Sequence, residues 1–269
     1  MSNKTISLIQ GVSHFKFKKM KNIHYKSAQF RFYAELNDFL PLTKKQRAFD
    51  YIYAGPLKLQ EAILSIGVPL SEIDLILVNS ESVNLDYSLK GGENVSVYPV
   101  FESLDISSLA ALRPQPLRDT RFILDAHLGK LARYLRMTGF DTLYKNDFED
   151  AVIVQRSQAE NRIILTRDKA LLRSPKIRHG YYVRSIHPKA QLTEVIRKFD
   201  LRSQLQPFSR CIVCNHPIEK VSKTLIIERV PHDTFQQFHD FYVCKQCDKV
   251  YWEGSHYERM QQFIRSLKI

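Results

Sequence analysis

Between Arg121 and Phe199 the sequence switches repeatedly between two periods, and this alternation restricts the fold more than any other feature. Short apolar runs suited to buried strands stand at 121–124, 141–145, 162–165 and 180–184. Helical patterns follow them at 127–138, 150–160, 168–173 and 188–199. Parallel strands need long connections, so strand and helix in strict turn predict a parallel sheet with crossover helices. In the first of these helices Leu128, Leu131, Ala132 and Leu135 form one apolar stripe. Lys130, Arg133 and Arg136 fall off that stripe, where they can face solvent or a phosphate.

Three of the strands lead into acids. Asp125 directly follows the first, in "FILD". Asp147 follows the second, with Glu149 and Asp150 opening the next helix, and Asp168 follows the third, in "RIILTRDKALL". Parallel strands bring their carboxyl ends to one sheet edge, the usual place for a site. Unpaired carboxylates held close together repel, and a hard divalent cation such as Mg²⁺ or Mn²⁺ removes the repulsion. Two such ions about 4 Å apart activate a water and stabilise the leaving oxygen in phosphodiester cleavage. Taken singly, Asp147, Asp150 and Asp168 also read as helix N-caps, each worth about 1 kcal/mol. Thr166, at the end of the third strand, suits metal-bound water, the scissile phosphate or an ordinary turn. Arg167 beside it is a candidate phosphate contact.

The chain has four cysteines, Cys211, Cys214, Cys244 and Cys247. They form two C-x-x-C pairs separated by 29 residues, a spacing with room for ribbon strands. Such pairs fit two knuckles around one tetrahedral Zn²⁺ better than they fit disulfides or free thiols. Four thiolates close the coordination shell, so the expected zinc is structural. Downstream, "VYWEGSHYERM" holds Trp252, the single tryptophan, which can stack on a base or pack on the ribbon. His256 and Arg259 can reach a phosphate or lie on an exposed helix face.

The net charge of +12 is unevenly spread. Residues 1–26 carry six lysines and no acid, residues 27–105 are net −5, and residues 106–269 are net +11. A regional basic excess favours a polyanionic partner through counterion release, and nucleic acid is the expected one. No apolar run approaches the roughly 18 residues of a membrane span. The start lacks the order of a secretion signal, because its lysines follow the short apolar patch. The expected compartment is cytoplasmic.

Residues 1–26 read as a flexible basic arm. An α+β unit follows over 27–105: a strand over Ala28–Leu36, a helix in "GPLKLQEAILSIGV" stopped by Gly67, a strand in "IDLILVN", and a strand, glycine turn and strand in "VNLDYSLKGGENVSVYPVF". Residues 106–119, with Pro114 and Pro116, read as a linker.

The motifs "ILDAHLGKLARYLRMTGFDTLYKND", "RIILTRDKALL", "PFSRCIVCN" and "YWEGSHYERM", in that order, resemble the Mut-seven C-terminal RNase family, from about Arg121 to the end. That resemblance implies a PIN-like nuclease fold with a zinc ribbon, in which Asp125, Asp147 and Asp168 bind metal. The family often has a denser acidic run after the second strand, whereas Ala151 and Val152 stand here. The segment from Phe30 to Glu102 is similar to the ubiquitin-like domain often fused upstream of this RNase, a relative of sulfur-carrier β-grasp proteins. A carrier needs a free C-terminal Gly-Gly, but Gly91-Gly92 is internal.

The sequence thus predicts an α/β chain: a β-grasp domain at 27–105, a PIN-like domain at 120–205, and a zinc ribbon with a C-terminal helix at 206–269. The expected activity is metal-dependent RNA hydrolysis by Asp125, Asp147, Asp150, Asp168 and Thr166, with Mg²⁺ or Mn²⁺. The rival readings are a non-catalytic protein that binds tRNA or the ribosome, and a β-grasp adaptor that recruits a protein partner.

Overall fold

The computed structural model describes residues 24–99 and 120–267. Most of the expected basic arm and all of the expected linker lie outside the described residues. Tyr25 and Lys26, assigned to the arm, belong instead to the first strand.

The N-terminal unit runs β1 (Tyr25–Phe32), β2 (Phe49–Ala54), β3 (Leu57–Lys58), α1 (Leu59–Ile66), β4 (Ile73–Val78), β5 (Glu81–Ser82), β6 (Ser88–Leu89) and β7 (Asn94–Pro99). Its main sheet has the order β2-β1-β7-β4-β5. β1 and β7 lie parallel at the centre, and the outer pairings are antiparallel. Ala28, Phe30 and Phe32 alternate onto the buried face, where Leu59, Ala62 and Ile63 of α1 join the same core. The strand stops at Phe32, short of the expected Leu36, because the chain turns at Ala34 (φ 45°) into a 3-10 helix over Ala34–Phe39. The Gly91-Gly92 pair, both at positive φ, makes the turn before β7. The buried Glu93 carboxylate accepts the Lys90 and Gly91 amides and fastens that turn.

The second unit runs β8 (Arg121–Leu124), α2 (Gly129–Met137), β9 (Asp141–Leu143), α3 (Asp150–Glu160), β10 (Ile163–Thr166), α4 (Lys169–Leu172), β11 (Gly180–Tyr182) and α5 (Pro188–Lys198). A 3-10 turn, Ala126–Leu128, begins what the sequence reads as one helix. The four strands are all parallel, in the order β11-β10-β8-β9. Alternation along β8 divides the core. Phe122 and Leu124 pack with Leu131 and Leu135 of α2 and with Leu192 and Val195 of α5. Ile123 and Ile164 pack on the other face with Ile153 of α3 and with Leu171 and Leu172 of α4. Both faces are covered, which explains why these strands read as continuous apolar runs. The connections leave β8 and β10 in opposite directions, so the crevice beyond their carboxyl ends is a topological switch point.

The third unit runs β12 (Glu219–Val221), α6 (His232–Gln237), β13 (Phe241–Val243), β14 (Val250–Trp252) and α7 (Ser255–Leu267), with an antiparallel β12-β13-β14 sheet. α7 returns to the second unit, where Leu267 and Phe263 join the α2–α5 core. Among the described residues, no helix is long and apolar enough to cross a membrane.

Candidate functional site

The switch-point crevice begins at Asp125. Its amide donates to Leu165 O across the two central strands, 3.2 Å. Its carboxylate is buried and accepts from the Thr166 hydroxyl at 2.7 Å. The same Thr166 oxygen accepts the Asp168 amide at 2.8 Å, so one fully buried side chain ties both acids together. Asp168 caps α4 through the Ala170 amide, 2.7 Å. The capping reading therefore holds for Asp168, but Asp125 makes no side-chain cap bond. Asp150 opens α3. Its carboxyl is pushed above the usual carboxylate range by burial, and then by the charges of Asp168 and Asp125. Among the described residues, none of the three, nor Asp147, has a lysine, arginine or histidine within the 4.0 Å of an ion pair.

Asp147 follows β9, which ends at Leu143, and sits four residues on, in an exposed turn. It lines a hollow of about 360 Å³ with Gly129, Arg133, Arg136, Tyr144, Lys145 and Val213. A second hollow, about 590 Å³, shares Gly129, Arg133 and Tyr144 and adds His127, Lys130 and Ile186. Tyr144 forms the wall common to both. Its hydroxyl donates to Ala126 O, 2.9 Å, and its ring lies so close to Gly129 that a Cβ there would meet the hydroxyl at 2.6 Å. The "HLGK" glycine is therefore needed for this approach. Tyr144 and Lys145 escaped the sequence reading because they sit in a segment read as strand.

Two of the expected phosphate contacts are committed to the fold. Arg136 is buried: its Nε donates to Thr142 O at 2.9 Å and its Nη1 to Val213 O at 2.7 Å. It turns inward rather than to solvent because these two carbonyls accept from it. Arg167 donates through Nη1 to the carbonyls of Val183, Arg184 and Ser185. Lys130 and Arg133 are exposed and line the cleft formed by the second hollow. His256 and Arg259 are exposed on α7, 3.0 Å apart. Trp252 is half-buried against the ribbon core.

The cysteines meet at one point, with no disulfide among them. Their four sulfurs lie within 4.8 Å of one another, the one such cluster of potential ligands among the described residues. Contacts of 3.5 Å (Cys211–Cys247) and 3.3 Å (Cys214–Cys244) approach the roughly 3.8 Å edge of a tetrahedron with 2.3 Å Zn–S bonds. The donor set fits Zn²⁺. Both knuckles have one design: Asn215 and Asp248, at φ 73° and 59°, follow the second cysteine and donate their amides to the first cysteine's carbonyl. Asn and Asp tolerate that left-handed turn, a sequence signal available in C-x-x-C-N and C-x-x-C-D. Burial pushes the Cys211 thiol up. The Tyr251 hydroxyl, the Cys214 and Val213 amides and Cys247 outweigh it and bring it down to about 6. Asn215 also fixes the ribbon to the sheet, accepting from the Thr142 amide and donating to Asp141.

The model of the Mut7-C RNAse domain matches residues 120–264, which holds both the acid-ended sheet and the ribbon. The chain belongs to the Mut7-C RNase family. A second model, of the Mut7-C ubiquitin domain, matches residues 25–105. No curated protein and no solved structure matches the chain. The two matches cover separate segments, and the ribbon falls within the RNase match.

Proposed function

We propose that the chain is a metal-dependent ribonuclease whose centre is the crevice bounded by Asp125, Asp150 and Asp168. The observation that carries this reading is that Thr166 links Asp125 and Asp168 beyond the carboxyl ends of the two central strands, with no protein cation paired to either acid or to Asp150 among the described residues. Their oxygens do not form a cluster as tight as that of the cysteines, which suits Mg²⁺ or Mn²⁺ held partly through water. Such an ion would supply a water acidified for attack and a counter-charge for the phosphate. The protein's own part is positioning. Thr166 orients the Asp125 carboxylate, α4 fixes Asp168, and Asp147 stands in the turn after β9. Lys130, Arg133 and Lys145 draw the phosphate backbone along the cleft, with His256 and Arg259 as further contacts. The four cysteines would hold Zn²⁺ as a structural brace for the ribbon, which Asn215 ties to β9, and that ion would take no part in the reaction.

The free-thiol cysteines suit a reducing compartment, so the cytoplasm is the proposed location. The ubiquitin-like domain is not a sulfur carrier, because its Gly91-Gly92 pair is a closed turn before β7.

The test incubates the purified chain with end-labelled total RNA in Mn²⁺ and in EDTA. Cleavage in Mn²⁺ and none in EDTA is expected. RNA retained without cleavage in Mn²⁺ would favour the non-catalytic reading.

A further inference from the structure

β11 is the edge strand of the RNase sheet, and its free side is covered by the ubiquitin-like domain. Glu72 closes a 3-10 turn of that domain and is 2% exposed. One of its carboxylate oxygens accepts the Tyr182 amide at 2.6 Å, and the other accepts Arg184 Nη2 at 3.2 Å. Arg184 Nε donates to Asp38 Oδ2 at 3.0 Å. The Tyr182 ring meets Phe39 edge-on at 5.7 Å and packs against the cores of both domains. Arg173 Nε donates to Gly67 O, 3.2 Å.

One contact of this interface reaches the candidate centre. Lys169 is the residue after Asp168. Its ammonium donates to Asp38 O and lies over the rings of Phe39 (5.7 Å) and Tyr182 (5.2 Å). A cation between two ring faces and a carbonyl is held in place, and the α4 cap is held with it. The path is short: the ubiquitin-like domain grips Lys169, Asp168 caps α4 beside it, and Thr166 joins Asp168 to Asp125.

We infer that the ubiquitin-like domain is a fixed positioning part of the RNase domain: through Asp38, Phe39 and Glu72 it grips Lys169 and the β11 edge and so orients Asp168. Its partner on this face is the chain's own RNase domain. Lys169 and Glu72 are positioning residues. Lys169 is turned toward the ubiquitin-like domain rather than the cleft. The inference rests on the proposed metal centre for its consequence in activity, but not for its structural content.

The experiment compares the full chain with Lys169→Met, Lys169→Arg and Glu72→Ala. Two quantities are read: amide exchange of the segment 166–172, and Mn²⁺ affinity by the paramagnetic signal of free ion. Lys169→Met should speed exchange at the α4 cap and weaken Mn²⁺ about tenfold, as loss of an outer-shell partner does. Lys169→Arg should restore most of both, and the knuckle amides near Cys211 should not change. Glu72→Ala should speed exchange at Tyr182 as well as at the cap. Unchanged exchange at the cap in Lys169→Met and Glu72→Ala would overturn the inference. If the unmodified chain bound no Mn²⁺, the metal reading would fail, and the exchange arm alone would decide the positioning role.

Discussion

The Thr166 hydroxyl donates to the buried Asp125 carboxylate at 2.7 Å, across the two central strands of the RNase sheet. Its oxygen also takes the Asp168 amide. Thr166→Val keeps the shape and removes both bonds. The buried Asp125 carboxylate then loses its donor, at about 1–3 kcal/mol, and the Asp168 amide loses its acceptor. Urea unfolding should show a loss within that range, and RNA cleavage should fall further than stability accounts for. A variant with unchanged stability would show that water or another group replaces the hydroxyl.

Arg136 and Arg133 stand one helical turn apart and should fail differently. Arg136→Met leaves the Thr142 and Val213 carbonyls without a donor and should lower stability by about 3 kcal/mol, the scale for breaking a buried network. Arg133→Ala, on the exposed cleft, should leave the melting temperature in place. It should weaken RNA binding and reduce the salt dependence by about one ion. Melting curves and a salt titration of binding separate the two.

The residues that were legible in the sequence are those whose role depends on near neighbours in the chain. Leu128, Leu131, Ala132 and Leu135 are all buried as their spacing requires, and the paired cysteines meet as their spacing requires. The position of Asp125 at the end of β8 was legible because a strand run ends on it. What was hidden depends on distant segments. Arg136 turns inward because Val213, 77 residues away, offers a carbonyl. Glu72 is buried because Tyr182 and Arg184 lie 110 and 112 residues on. Asp147 sits in an exposed turn because the β9 strand ends at Leu143, leaving a segment that periodicity cannot shape.

Zinc should be stoichiometric, at one ion per chain by elemental analysis of protein purified without added metal. The full thiolate set and the paired knuckles require it. Removing it with a strong chelator should speed amide exchange through β12–β14 and at Asn215, since a small lobe of this kind draws its folding energy from the metal. Retention of full exchange protection after verified removal would show that the ribbon core suffices.

Acid should loosen the ribbon from the sheet. Burial alone would raise the Asp141 carboxyl, but hydrogen bonds from Arg162 and Asn215 outweigh it and hold it below its usual range. A depressed carboxylate stabilises the fold fully above its unfolded value of about 3.9 and loses that contribution as pH falls through the folded value. Asp141→Asn should therefore cost stability at neutral pH and flatten the acid limb of the stability curve. Identical acid limbs in the two proteins would exclude Asp141 as the source.

Cleavage by Asp125→Asn, compared with the unmodified chain on total RNA in Mn²⁺ and in EDTA, bears most directly on the metal mechanism. Asn keeps the shape, can still accept from Thr166, and removes one negative charge from the crevice. If Asp125 helps hold the cation, the variant should cut at least about 100-fold more slowly, the upper scale for losing a metal partner. RNA binding should survive or tighten, because a charge that repels the phosphates is gone. Equal Mn²⁺-dependent cleavage by both proteins would contradict the account.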